Sequence, residues 1–205
     1  MKLNLGCGGY LFGGFVNVDS AFDLSDLKKE GHVFQNAVVE EEAEFVRADI
    51  RKLPFPDGSA DFILSVNALE HLPFRDVIPA LQEWNRVLSR DGEMFLVVPD
   101  FDSLAMTWCQ MMLEPEIHPH EYVDVIQGIY GNQITEGEFH RSLMNKKLMD
   151  SFLATAGFEW WSTQVYPRGH KWIRPKEYSI PVESADPIFR YGSIYIQTYK
   201  KGREE

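Results

Sequence analysis

Basic residues are scarce in this chain. Lys and Arg number 20 against 31 Asp and Glu, a net charge of -11 over 205 residues. Phosphate recognition needs a cationic face, so nucleic acid is disfavoured as the main partner, although a local basic patch is not excluded. Cysteine is almost absent: Cys7 and Cys109 are too few for a disulfide framework. No apolar run approaches the ~20 residues of a membrane span, so no membrane partner is expected. The first strand signal starts directly after Met1, and no signal peptide is expected ahead of it. Together these absences make a reducing cytoplasm the expected location. No internal repeat or low-complexity segment is visible. Hydrophobic residues at 44% and charged residues at 25% are ordinary for a globular protein, and one domain over residues 1–205 is the expectation.

Two nucleotide-binding signatures are missing as well. There is no Gly-Lys-Ser/Thr loop, and G-x-G-x-x-G fails because its third glycine position is Leu11. In their place stand residues 2–19, KLNLGCGGYLFGGFVNVD. The segment reads as a short apolar strand (Leu3, Leu5), a glycine-rich turn, and a second strand over 15–18 that ends on Asp19. Gly6 and Gly8 let the backbone turn sharply and come close to a ligand. An acid at the tip of the second strand is placed to accept hydrogen bonds from both ribose hydroxyls. The pairing points to a nucleoside-containing ligand; a plain glycine-rich hairpin is the rival reading.

Strands then alternate with helices. Residues 22–31 read as a short helix with Leu24 and Leu27 inward and Gly31 as its stop. Acidic residues 36–44 read as a solvated helix face or loop. Residues 44–48 form a third strand, followed by Asp49-Ile50, and residues 61–66 (DFILSV) form a fourth that is apolar throughout, as a strand buried on both faces should be. Asp76 is the expected cap of the next helix, with Pro79 in its first turn. Val77, Leu81, Trp84 and Leu88 give that helix a core-facing stripe, and Arg90-Asp91-Gly92 ends it. A fifth strand covers 93–98, and a further helix starts near Asp102. This alternation predicts a parallel sheet with right-handed crossovers.

RADIRKLPFPDGSADFILSVNALEHLP, then a helix, then LSRDGEMFLVVPD, completes the pattern begun by LGCG. Residues 2–100 resemble the class I S-adenosylmethionine-dependent methyltransferases of the small-molecule type. The resemblance implies an α/β fold: a Rossmann-like doubly wound sheet, mostly parallel with an antiparallel C-terminal edge strand. It implies S-adenosylmethionine as cofactor, bound by Gly6, Cys7, Gly8 and Tyr10 in the turn and by Asp19 at the ribose. Asp49 and the Ile50 N–H would face the adenine, and Asn67 and Ala68 the methionine part. The chain departs from the family at three places. Asn4 stands where an acid is usual, Tyr10 where a glycine is common, and six residues between Gly8 and Phe15 leave room for a turn rather than the usual first crossover helix.

In the C-terminal half, residues 146–156 read as a helix with Leu148, Met149, Phe152 and Leu153 inward, Asn145 as cap and Gly157 as stop. Residues 158–166 and 191–200 read as strands. Residues 114–145 occupy the place of a substrate-covering lid. His118-Pro119-His120 lacks a Cys or acid at ligand spacing and is read as structural or surface, so no metal is expected. Trp160 and Trp161 read as packing residues. Arg168, His170, Lys171, Arg174 and Lys176 form a basic run that is either a solvated loop or the mouth of a site for an anionic acceptor.

The expected reaction is methyl transfer to oxygen or nitrogen of a small-molecule or sugar-like acceptor. The Asn/Asp-Pro-Pro-Tyr tetrad of base-amino methyltransferases is absent after the fourth strand, where Asn67-Ala68-Leu69-Glu70 stands instead. If the acceptor arrives protonated, His71 or His140 is the expected base; a backbone-supporting role for His71 and a surface role for His140 are the alternatives. An aminopropyl transferase, or a non-enzymatic nucleoside-binding protein on the same fold, remains open. The oligomeric state is not readable.

Overall fold

Apolar strands joined by crossovers long enough for parallel pairing, with one-sided helices between several of them, wind this chain around a seven-stranded sheet. The computed structural model describes residues 1–26, 38–113, 119–134, 136–166 and 192–199. In chain order the elements are β1 (Lys2–Leu5), β2 (Tyr10–Leu11), β3 (Val16–Asp19), β4 (Val38–Val39), β5 (Glu44–Arg47) and β6 (Ala60–Val66). They continue with α1 (Phe74–Val87), β7 (Leu88–Pro99), α2 (Phe101–Met111), α3 (Pro119–Tyr130), α4 (Lys146–Thr155), β8 (Trp160–Tyr166) and β9 (Ser193–Tyr199). The sheet order is β5-β3-β1-β6-β7-β9-β8, and β9 runs antiparallel to both its neighbours. This is the doubly wound, mostly parallel sheet that the sequence predicts. The winding direction reverses between β1 and β6, and the crevice at such a switch point is where α/β sheets bind ligands.

Alternation along the strands sorts the core into two faces. Leu3, Leu5, Ile63, Met94, Leu96, Ile194 and Ile196 pack against Val77, Leu81 and Trp84 of α1 and Met149, Phe152 and Leu153 of α4. The opposite face is aromatic, with Phe62, Leu64, Phe95, Val97 and Tyr195 meeting Phe12 and Phe15. Val77, Leu81 and Trp84 are the core-facing stripe expected of this helix, while Leu88, expected with them, is buried as the first residue of β7.

The first crossover, residues 6–15, contains no helix. A two-residue parallel pair, Tyr10↔Val38 and Leu11↔Val39, takes its place. Buried amides satisfy the rest of the loop. Asn4 Nδ2 donates to the Tyr10 carbonyl and to Asn17 Oδ1, both at 2.9 Å. Asn17 Oδ1 also accepts from Phe12 N–H, and its Nδ2 lies within reach of the Phe12, Phe15 and Glu44 carbonyls. Ten residues cannot hold a helix and still return to a parallel strand, so side-chain amides do what a helix backbone would have done. Asn17→Ala should leave several buried backbone groups unpaired, each worth ~1–3 kcal/mol. The expected result is a fall in unfolding free energy of at least ~2 kcal/mol by urea titration; an unchanged midpoint would show the network to be idle.

Several expectations need correction. The described part of the expected helix over 22–31 is a turn at Asp23–Asp26, with Leu24 41% exposed while Phe22 packs on Phe45; residues 27–37 lie outside the described residues. Residues 38–39, expected in a solvated segment, form β4. Helix α1 starts at Phe74 behind Pro73, so Asp76 caps nothing and Pro79 lies inside the helix. Asp76 instead takes a hydrogen bond from the Arg51 guanidinium. The helix also ends earlier, at Val87, because Leu88 already pairs with Ala60 before the register jumps to Phe62↔Glu93. Asn145 caps α4 through Leu148 N–H at 2.9 Å and Gly157 follows it at φ +88°, as expected, but Leu148 is partly exposed. The basic run 168–176 and His118 lie outside the described residues.

Candidate active site

Apart from Tyr10, which lies in β2, the residues singled out for cofactor binding lie at the carboxyl ends of β1, β3, β5 and β6. Gly6 and Gly8 both adopt positive φ, +66° and +50°. A Cβ on Gly6 would collide with that of Ala68, so the turn rests directly on the tip of β6. Gly6 N–H and Cys7 N–H both donate to the Val18 carbonyl, at 2.8 and 3.2 Å. Gly8 N–H donates to Asp19 Oδ2 at 2.9 Å, and Ala21 N–H to Asp19 Oδ1 at 2.8 Å. Each carboxylate oxygen has one lone pair engaged, which leaves Asp19 able to accept two further hydrogen bonds. The Cys7 thiol is buried against Leu11 and Phe22, and that burial pushes its pKa well above the thiol range. Cys7 can offer a ligand its backbone only. Tyr10 lies in β2 with its ring against the aromatic face.

Asp49 follows β5. Arg51 grips its carboxylate through Nε and Nη2 at 2.6–3.1 Å, and this hydrogen bonding holds the Asp49 pKa below its usual value. The Ile50 side chain sits in the core while its carbonyl accepts a 2.8 Å hydrogen bond from Trp84 Nε1. The 50–51 peptide is thus fixed from beneath by α1. Sequence reading took Trp84 for core alone; an indole N–H must find a partner when buried, and that requirement was the available signal.

The tip of β6 carries the densest polar chemistry. Asn67 adopts φ +49°, its N–H donates to the Val97 carbonyl at 2.9 Å, and its Oδ1 is buried without a hydrogen bond. A short 3-10 turn, Leu69–His71, follows. Both oxygens of Glu70 are buried and lack a hydrogen-bond partner among the described residues, and burial raises its pKa to about 8. The Glu70 carbonyl accepts from the N–H groups of Arg141 and Ser142, at 2.8 and 3.1 Å, drawing residues 139–142 over the strand tip. His71 Nδ1 lies 3.2 Å from the Phe139 carbonyl, and His140 Nδ1 2.9 Å from that of Gly128 in α3. The two imidazoles meet edge to face with centroids 4.9 Å apart. Burial lowers the His71 pKa, opposed by the Phe139 carbonyl and more weakly by Glu138, the Asn67 carbonyl and Asp19. Burial, then His71, lowers His140 to about 4. Both shifts favour the neutral imidazole.

His71 and His140 are thus neighbours, and His140 is no surface residue: its side chain is 8% exposed. Glu70 had no assigned role in the sequence, and only its burial marks it. Asn4, standing where the family carries an acid, spends its amide on the β1–β3 loop. His120 is exposed on α3.

The chain is similar to known proteins in both sequence and fold. Residues 3–96 match a family described as a methyltransferase domain. Over 104 residues the chain is 33% identical to an uncharacterised protein of Methanocaldococcus jannaschii, covering 51% of this chain and 43% of that relative, so the match spans less than half of the relative's length. The fold is similar to an S-adenosylmethionine-dependent methyltransferase of Archaeoglobus fulgidus, with TM-score 0.57 and 15% identity over 97% of this chain and 85% of that one. It is also similar to the 1,6-didemethyltoxoflavin N1-methyltransferase of Burkholderia thailandensis, solved with 1,6-didemethyltoxoflavin and S-adenosylhomocysteine bound. That likeness has TM-score 0.51 and 14% identity, over 98% of this chain and 71% of that chain.

Proposed function

Residues 3–96 of this chain form a class I S-adenosylmethionine-dependent methyltransferase domain, and on that premise we propose that the protein transfers a methyl group to oxygen or nitrogen of a small-molecule acceptor. The observation that carries the reading is the convergence of the glycine turn, Asp19, Asp49-Ile50 and Asn67-Ala68 on adjacent strand ends at the switch point of the sheet. The residues fit the cofactor: Gly6 and Gly8 bring bare backbone to it, Asp19 keeps two lone pairs for the ribose, and the orphaned Asn67 Oδ1 suits an ammonium donor. Asp49 and the Ile50 N–H serve the adenine, and Cys7, Tyr10 and Ala68 line the turn through backbone or small side chain. When bound, S-adenosylmethionine supplies a methyl on a sulfonium, activated for in-line displacement.

The chain's own task is then to hold the acceptor in line and keep water out. Residues 114–145 act as the lid, and the hydrogen bonds from Arg141 and Ser142 to Glu70 support their closure over β6. His71 and His140 are the catalytic pair, acting on an acceptor hydroxyl or ammonium that must lose a proton. The net charge and the missing Asn/Asp-Pro-Pro-Tyr tetrad favour a metabolite over nucleic acid, and the basic run at 168–176 favours an anionic one. No helix among the described residues is long and apolar enough to cross a membrane, and a cytoplasmic setting fits the two unpaired cysteines.

Calorimetry with S-adenosylhomocysteine tests the cofactor half of this reading, and incubation with S-adenosylmethionine and a cell-metabolite extract tests the acceptor half. Saturable binding is expected, together with an extract component heavier by one methylene. A protein that binds no S-adenosylhomocysteine is no methyltransferase, and binding without any methylated product would favour a nucleoside-binding protein.

A further inference from the structure

Glu70, His71 and His140 each offer one ligating atom, and these atoms lie within 4.8 Å of one another. The arrangement is unusual in what it lacks: a donor. Both Glu70 oxygens are buried, accept no hydrogen bond from any described residue, and belong to a side chain only 2% exposed. Each histidine has its Nδ1 against a carbonyl, of Phe139 and of Gly128. A carbonyl can only accept, so both Nδ1 atoms carry the hydrogen and the neutral rings keep their lone pairs on Nε2. His140 Nε2 stands 4.0 Å from Glu70 Oε1. A proton on Glu70 would not bridge to that nitrogen either, since 4.0 Å is too long for a hydrogen bond.

We infer that Glu70, His71 and His140 bind a single divalent transition-metal ion of the zinc class. Two imidazoles and one carboxylate suit zinc, cobalt, nickel or manganese, whereas magnesium prefers oxygen alone. Donors around a tetrahedral zinc lie roughly 3.3–3.5 Å apart, so side-chain shifts of about an ångström close the set. The outer contacts are those of a metal site too: ligating histidines commonly donate their other ring N–H to a backbone carbonyl, which fixes ring and tautomer. Three protein ligands leave coordination positions open, the pattern of a catalytic rather than a structural ion. Asn67 Oδ1, buried and unpartnered at the same strand tip, is a further oxygen donor.

The inference rests on the methyltransferase reading for its purpose. An ion held at the end of β6, beneath residues 139–142, gives an acceptor hydroxyl or carboxylate oxygen a docking point beside the region assigned to the methionine part of the cofactor. With the ion in place both imidazoles act as ligands, and an acceptor hydroxyl is acidified by the ion instead of by an imidazole base.

Cobalt titration of the chelator-treated, full-length protein tests the site directly. The expected result is a single equivalent of tightly held Co2+ with visible d–d absorption, displaced by Zn2+. Glu70→Gln keeps the size of the buried side chain while removing the carboxylate that would ligate the ion, and His140→Ala removes one ring. Each should weaken Co2+ binding by at least ~10-fold, with the thermal melt of Glu70→Gln reporting an intact fold. No stoichiometric uptake by the unmodified protein, or equal uptake by Glu70→Gln and His140→Ala, would overturn the site. Parallel S-adenosylhomocysteine calorimetry separates the two ideas. Nucleoside binding without cobalt leaves the methyltransferase reading standing and ends the metal site; cobalt without nucleoside binding does the reverse.

Discussion

His71→Ala is expected to cut turnover by roughly 10²–10⁴-fold while S-adenosylhomocysteine binds as before. Asp19 at the proposed ribose position lies close enough to His71 to influence its charge. His71 therefore faces the end of the site where cofactor and acceptor would meet. As base or as metal ligand, its ring acts on the acceptor and not on the nucleoside, so the two measurements should separate cleanly. Loss of nucleoside affinity in this variant would instead mark His71 as a support for the 139–142 segment, whose Phe139 carbonyl it holds. Full turnover would leave proximity and orientation as the only contribution of the protein.

Asp19→Ala should lower S-adenosylhomocysteine affinity by at least ~10-fold, from the loss of charge-assisted hydrogen bonds worth ~1.5–3 kcal/mol each. The substitution also frees Gly8 N–H and Ala21 N–H, both bound to this carboxylate. Asp19→Asn separates the two effects. Its amide oxygen can still accept from Gly8 N–H, although its Nδ2 cannot accept from Ala21 N–H, so the glycine turn keeps its anchor while the charge is gone. An intermediate affinity in Asp19→Asn is expected by calorimetry; unchanged affinity in Asp19→Ala would show that the ribose is read elsewhere.

What was readable in the sequence is what depends on neighbours in the chain. The glycine turn needs positive φ and bare backbone within three residues, the Asn145 cap reaches Leu148 N–H one turn ahead, and DFILSV is apolar because both its faces are covered. The errors share the opposite character. Asp76 looked like a cap because its partner, Arg51, reaches it from the loop after β5. Val38-Val39 is solvated as expected, with Val39 exposed, but its strand character was hidden because its partner is Tyr10-Leu11, across the whole of β3. Glu70 passed unnoticed because a buried acid and a solvated one have the same letter, and His140 joins it only when the chain after α3 folds back over β6.

The helix-free first crossover has a consequence for ligand choice. In a conventional dinucleotide site the turn after the first strand opens into a helix whose N-terminus presents about half a positive charge to the pyrophosphate. Here residues 6–15 end that turn in a two-residue strand and a clamp of asparagine amides, so the concentrated positive end is gone. A pyrophosphate loses its main attraction at this site. A sulfonium nucleoside, positively charged and without phosphate, gives up nothing and escapes a repulsion. The short crossover thus acts as an electrostatic filter, favouring cationic nucleosides over the phosphorylated cofactors that outnumber them in a cell.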